Sequence, residues 1–430
     1  MTRLKIPLKF NKAPIWPTHL DPPALRYSQS TYTAASGASP QPVLDGRSIL
    51  SPDIDLNDFR CTAVIDWIEV RMQNTPGLHQ ARNIHFHAKK MLDKLGSQST
   101  IFVSGPDGET GYIGHDFILR LQQPVAREMM EFLEEMLQYY RPRNPTVMAL
   151  PIAGTEVSVD FRVKPKPGRD QDASNLLRWR MADTLRRHLR LGPVLTEEVR
   201  CAPRYYIYLN GRDTAIFNID RNTSDLSGKL KVEATRLGLT HDKVVPLRRA
   251  SHRSAPIDTT HYIGAEEFAV MLRVMDKTTD RRNPSSSSAV DLSPEERRAR
   301  IEVRLKNTDE HAVLGVVGLN TVGDLCRVDF KKMRKPFFEF FLPTVGTTCD
   351  TLSLSVSVSA SETDVFARSG VYGLDRLHRS IEAINRARYT AREISTRPTK
   401  LGKKGRLMSY VELNRKVDRA LRALSRHWRV

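Results

Sequence analysis

Two stretches far apart in the chain carry the same alternation of apolar and polar positions. Glu156 to Val163 (EVSVDFRV) places Val157, Val159, Phe161 and Val163 on one side and Glu156, Ser158, Asp160 and Arg162 on the other. Arg298 to Lys306 (RARIEVRLK) sends Ala299, Ile301, Val303 and Leu305 one way and Arg300, Glu302, Arg304 and Lys306 the other. A period of two predicts half-buried antiparallel strands. Cys61 to Arg71, rich in β-branched residues, Thr100 to Ser104 and Asp116 to Gln122 also read as strands. Tyr205 to Leu209 and Ala215 to Ile219 flank Asn210-Gly211, a hairpin signal. Helical periodicity covers Ala81 to Leu95, with Gly96 to stop it, then Val125 to Tyr140 and Asn175 to Arg190. His261 to Gly264, Glu267 to Lys277 and Arg298 to Lys306 make an antiparallel meander, with the polar loop 279 to 295 as a mobile insert.

These elements predict an α+β fold, a mainly antiparallel sheet flanked by helices, with a basic helical C-terminal tail. Residues 1–56 hold eight prolines and many Ser, Thr and Ala, and are expected to be a flexible or loosely docked arm. Residues 57–345 form the core. Residues 346–430 form the tail, with helices over Asp375 to Thr390 and Tyr410 to Trp428.

Charge narrows the choice of partner. The 430 residues carry 67 Lys and Arg against 49 Asp and Glu, a net charge of +18. Residues 376–430 alone hold 16 Lys and Arg against four Asp and Glu, which suits contact with a polyanion. The basic helix over Arg178 to Arg190, with Arg186 and Arg187, and the linker with Lys403, Lys404 and Arg406 are candidate DNA contacts. The four cysteines are widely spaced and lack a C-x-x-C pair, which argues against a disulfide scaffold or zinc ribbon and fits a reducing cytoplasm. The longest apolar run, Ala312 to Leu319, is too short to span a membrane, and no secretion signal or transit peptide is legible. P-loop, dinucleotide-binding, Ser-His-Asp and zinc-spacing signatures are absent.

The alternating strands suggest chemistry. Asp160 has Ser158 and Arg162 at ±2, and Glu302 has Arg300 and Arg304 at ±2. If the strands share a sheet, one face offers carboxylates for Mg²⁺ or Mn²⁺ among arginines that suit phosphate oxygens. The same pattern also describes a solvated face with cross-strand ion pairs. Asp66, inside the apolar run VIDWIEV, needs a partner or a function. Tyr262 in HYIG is a candidate nucleophile, and Asp276-Lys277 closes the following strand.

At these residues the chain resembles the rolling-circle replication initiation factor family of small plasmids and filamentous phages. The resemblance spans roughly residues 60 to 345. It rests on THYIGAEEFAVMLRVMDK (260 to 277), RARIEVRL (298 to 305), VIDWIEV (64 to 70), EVSVDFRV (156 to 163) and KPFFEFFLP (335 to 343). The chain departs from the family pattern at Gly264-Ala265-Glu266, where Gly-Ser and a basic residue are usual. It departs again at Met275, where an aromatic is usual. The resemblance implies an origin-specific DNA nicking-joining endonuclease, with Tyr262 as nucleophile and Lys277 beside the scissile phosphate. It implies Mg²⁺ or Mn²⁺ on Asp160 and Glu302, with contributions from Asp276 and Asp66, and DNA contacts from Arg162, Arg300 and Arg304. The implied partners are origin DNA, with a single-stranded or hairpin nick site, and a host helicase and polymerase. A membrane is not among them, and a homodimer is compatible. Two alternatives stand beside this reading. One is a non-catalytic DNA-binding replication protein of the same fold. The other is a His-hydrophobic-His nicking endonuclease built on His85-Phe86-His87 with Tyr389. That pair falls within a helical period, where residues i and i+2 lie about 200° apart.

Overall fold

The computed structural model describes residues 4–33, 41–143, 146–190, 204–209, 212–215, 232–239, 255–264, 266, 268–283, 288–308, 311–346, 358–398, 400–402 and 404–429. The fold is α+β, and among the described residues every strand pairing is antiparallel. Nine strands make the larger sheet among the described residues. In chain order they are β1 (Phe59–Met72), β2 (Thr100–Ser104), β3 (Phe117–Gln122), β4 (Ile152–Val163), β5 (Arg204–Leu209), β6 (Arg212–Ala215), β7 (Thr260–Ile263), β8 (Val270–Lys277) and β9 (Arg298–Lys306). Across the sheet they run β6-β5-β7-β8-β9-β4-β1-β3-β2. The two alternating strands β4 and β9 are therefore direct neighbours at its centre.

One face of this sheet is hydrocarbon. Val157, Val159, Phe161, Ile301, Val303 and Leu305 are fully buried there. Helix α1 (Ala81–Lys94) adds Ile84, Ala88, Met91 and Leu92, and α2 (Ala126–Tyr140) adds Met129, Phe132, Leu133 and Met136. Helix α3 (Gln171–His188), capped by the Asp170 carboxylate on the Ala173 N–H at 2.7 Å, contributes Met181 and Leu185. The C-terminal helix α5 (Val411–His427) contributes Leu413, Val417, Leu421 and Leu424, followed by Trp428. Its apolar spacing of three and four is what lets a strongly basic helix dock on the core. Leaving a water-facing position for this core is worth roughly 1.5–3 kcal/mol for each such large side chain.

The N-terminal segment is not a loose arm. Leu4–Pro7, Ala24–Thr31 and Arg47–Pro52 are strands of a second sheet, in which Glu339–Gly346 pairs with Arg47–Pro52 and with the short strands Leu189–Arg190 and Leu407–Ser409. Leu25, Tyr27 and Leu50 are buried in its own cluster, together with Phe341, Phe366 and Leu377. Arg47 fixes the segment to the rest of the chain. Its Nη2 donates to Glu362 Oε2 at 2.7 Å, and Glu362 also meets His378 Nε2 at 2.8 Å. Both acceptor and imidazole belong to α4 (Val358–Thr390), which bends at Gly370. Gly370 has φ +66, and a Cβ there would press into the backbone of Arg187 on α3, so only glycine suits this crossing.

The polar stretch 279 to 295 also departs from expectation. Thr279–Asn283 and Ser288–Asp291 pair as a two-stranded hairpin, and Leu292 is buried behind it. The turn Asn210-Gly211 and residues 216 to 219 lie outside the described residues; β5 and β6 pair antiparallel on either side of that turn.

Candidate functional site

The second face of the large sheet is polar and mostly buried, which half-buried strands do not predict. Ser158 and Asp160 are fully buried, and Glu156, Arg298, Arg300 and Glu302 are nearly so. Register explains this. Tyr262 stands opposite Arg273, Arg273 opposite Glu302, Glu302 opposite Ser158 and Ser158 opposite Val64, forming one row over five strands. The adjacent row pairs Arg304 with Glu156 and Glu156 with Trp67. Long side chains on neighbouring strands about 4.8 Å apart cover one another.

Asp66 reaches this face through a bulge. The β1–β4 register shifts between Ile65 and Trp67, so Asp66 is the extra residue and both Asp66 and Trp67 turn to the polar side. The Ser158 hydroxyl donates to Asp66 Oδ2. Asp66, Glu156 and Glu302 each offer an oxygen, and these oxygens lie within 4.8 Å of one another. Arg273 Nε is 2.7 Å from Glu302 Oε2, and its Nη2 pairs with Glu156. Arg300 Nη1 lies 2.9 Å from Asp66 Oδ1 and 3.2 Å from Glu302 Oε1.

These cations do not fully offset the crowding of acids. Burial, together with the neighbouring Glu302 charge, pushes the Glu156 carboxyl up to about 7. Burial also raises Asp66 above the ordinary carboxylate range, against the pull of Arg300. Carboxylate oxygens held together with a deficit of positive charge are the donor set that Mg²⁺ or Mn²⁺ prefers, so the three acids fit such an ion chemically.

Asp160 is placed otherwise than the resemblance implies. Arg300 holds it through Nε at 2.5 Å and Nη2 at 2.9 Å, while Arg298 Nε and Arg162 Nη2 each approach Oδ2 at 3.1 Å. Burial works against its charge, yet bonding to Arg300 and the charges of Arg298 and Arg162 hold the carboxyl below its usual range. Both its oxygens are on guanidinium groups, as those of Glu302 also are, and what sets Asp160 apart is that the converging oxygens are those of Asp66, Glu156 and Glu302. Asp276 is on the opposite face of the sheet, where Arg178 of α3 binds it through Nε at 2.5 Å and Nη2 at 3.2 Å, with Trp179 Nε1 at 3.1 Å. Neither residue joins the acidic cluster. Lys277 sits at the end of β8 on the polar face, in register with Arg298, with its Nζ 3.3 Å from Asp280.

Tyr262 is half-buried and lies within electrostatic reach of Arg273. It therefore shares the row with Glu302, with Arg273 between them. The expected DNA contacts are mostly turned inward. Arg187 and Arg186 of α3 both pair with buried Asp183, at 2.6 Å through Arg187 Nε, and Arg186 also donates to the Ala255 carbonyl. Arg304 Nη2 donates to the Glu266 and Phe268 carbonyls, the latter at 3.2 Å. Arg406 approaches Glu362 at 4.0 Å, Lys404 is exposed, and Lys403 lies outside the described residues. His85 and His87 are on α1, where a two-residue spacing separates them around the helix. His87 Nδ1 instead meets the Tyr140 hydroxyl at 3.1 Å, and Tyr389 is on α4.

The resemblance assigns no role to Glu156, Arg273 or Arg298, although all three lie within the segments that carry it. Glu156 was legible as a face-sharing neighbour of Asp160, but its meeting with Glu302 and Asp66 depends on strand order. No protein-family model matches the chain, and no characterised protein matches it in sequence.

Proposed function

We propose that the protein is a metal-dependent DNA nicking-joining protein of the rolling-circle replication type, working on the polar face of its large sheet. The observation that carries this reading is the row Tyr262–Arg273–Glu302, which ends on the cluster of Asp66, Glu156 and Glu302. A phenol, a guanidinium and convergent carboxylates are the groups that transfer of a phosphodiester to tyrosine requires.

Asp66, Glu156 and Glu302 would hold Mg²⁺ or Mn²⁺, which supplies Lewis-acid polarisation of the phosphate when bound. In the transfer, the Tyr262 oxygen forms a bond to phosphorus as the bond to the 3′-oxygen breaks. The phenolic proton leaves to bulk water. The leaving 3′-oxygen takes a proton from solvent. Arg273 faces the phenol and offsets the negative charge that builds at the attacking oxygen and the phosphate. The 5′-phosphotyrosyl product keeps the bond energy, so the reverse attack by a 3′-hydroxyl rejoins the strand without ATP. Origin DNA, a host helicase and polymerase, and a cytoplasmic setting are part of this proposal.

A second reading has one specific observation in its favour. Arg300 Nη1 bridges Asp66 and Glu302, two of the acids that would hold the ion. A protein in which that guanidinium permanently replaces the ion binds DNA without cutting it.

Supercoiled DNA of the replicon that encodes the chain, incubated with Mn²⁺, separates the two. The proposal predicts open circles that require the metal and vanish with Asp66→Asn or Glu302→Gln. Supercoils left intact by a protein that binds the same DNA would establish the non-cutting reading.

A further inference from the structure

We propose that the exposed corner formed by α1 and the end of α2 is a stacking surface for single-stranded nucleic acid. This inference does not rest on the nicking reading, because none of its residues belongs to the sheet face described above.

The surface begins with a sequence period. Arg82, Phe86 and Lys90 recur every four residues on α1 and are all exposed, as is Lys89. Phe86 is 52% exposed, and Arg82 Cζ sits 5.6 Å from its ring centre. The ring of His85 is 5.9 Å from that of Phe86. Across the helix pair, Tyr139 of α2 is 64% exposed and lies 4.1 Å, ring centre to ring centre, from His87. Tyr140 backs this pair from within, 4.9 Å from Tyr139, with its hydroxyl on His87 Nδ1. Arg141 follows, exposed, in the left-handed conformation that ends α2.

A large exposed ring is costly unless something covers it, and Phe86 stands with Arg82 and Lys90 one turn to either side, while Tyr139 stands open beside His87. Among the described residues no acidic side chain pairs with Arg82, Lys89 or Lys90; the first acid–base pair along α1 is Lys94 with Glu135, two turns away from Phe86. Positive charge interleaved with open aromatic faces fits a strand whose phosphates are anionic and whose bases are unpaired. A duplex keeps its bases stacked on each other and offers no face to Phe86 or Tyr139. Leu78 and Ile113, exposed near the start of α1, add apolar area but no ring. The His-Phe-His motif thereby acquires a role that metal binding could not give it, since its histidines diverge around the helix.

The test is fluorescence anisotropy of the full chain with oligodeoxythymidine and oligouridine of about 16 nucleotides, and with a duplex of equal length. Phe86→Ala and Tyr139→Ala should each weaken binding to one or both single strands by about tenfold or more, with duplex binding little changed. Phe86→Trp should retain it. The charge reversal Arg82→Glu with Lys90→Glu should weaken binding and flatten its salt dependence. All four positions are exposed, and thermal melting should match the native protein. Single-strand affinity unchanged in both alanine variants overturns the proposal, as does equal loss of duplex binding. So does capture of anionic phosphatidylserine vesicles that Phe86→Ala abolishes while oligonucleotide affinity stays native.

Discussion

Arg300 grips Asp160 with two parallel bonds, Nε to Oδ1 at 2.5 Å and Nη2 to Oδ2 at 2.9 Å, across the two central strands of the sheet. A bidentate guanidinium–carboxylate pair of this burial is a structural clasp. Asp160→Ala leaves Arg300, Arg298 and Arg162 without their shared counter-charge. The variant should lose about 3–5 kcal/mol of stability, read by urea denaturation. A variant as stable as the native chain would contradict the clasp.

Glu156 makes stability depend on pH in the alkaline direction. Its folded carboxyl titrates at about 7, above its ordinary value of 4.5, so the folded state binds the extra proton between these values. Stability from this group is present below about 4.5 and is lost as pH rises through about 7. Glu156→Gln should remove that loss and raise stability at pH 8 by on the order of 1–3 kcal/mol, measured by denaturation across pH.

Two histidines, His188 fully buried and His261 partly exposed, act in the opposite direction. Burial depresses His188 to about 4 and His261 to about 3, from an ordinary 6.5. His188 is held between the Tyr27 hydroxyl at 3.2 Å and the Phe341 carbonyl at 2.7 Å. The unfolded chain binds more protons than the folded one below 6.5, so stability is full above 6.5 and falls as pH drops towards 4. Proton uptake on unfolding at pH 5.5, measured by calorimetry in buffers of different ionisation heat, should be diminished in His188→Gln.

Mn²⁺ should stabilise the folded protein. At a hundredfold excess over its dissociation constant the gain is about 2.7 kcal/mol. Binding should release protons near pH 7, because Glu156 is partly protonated there and the ion requires carboxylates. Titration calorimetry with Glu302→Gln should show no binding, whereas Asp276→Asn should bind normally if it folds, since that acid faces the opposite side of the sheet.

Much of the fold was legible because it is written in short periods. β2 and β9 coincide with the predicted strands, and α1 and α2 begin and end within a residue of their patterns. The N-terminal strands escaped because their apolar residues, such as Leu25 and Tyr27, are dispersed among prolines and serines. They pair with one another, and Arg47–Pro52 alone joins them to Glu339–Gly346, some 300 residues away. The site was legible as a face but not as a list. Alternation put Glu156, Asp160, Arg300 and Glu302 on one side; only the order of strands shows that arginines take Asp160 and that a bulge brings Asp66 to Glu156. Arg186 and Arg187 misled for a related reason. A basic helix looks solvent-facing until a single buried acid, Asp183, is found to turn both inward.

Nicking through Tyr262 would leave its oxygen bonded to DNA. The direct measurement is mass spectrometry of peptides from the full chain after reaction with Mn²⁺ and supercoiled DNA of its own replicon, followed by nuclease trimming. A nucleotide adduct is expected on the peptide containing Tyr262, lost in Tyr262→Phe while DNA binding persists. An adduct on another tyrosine, or nicked DNA with no adduct at all, would contradict it.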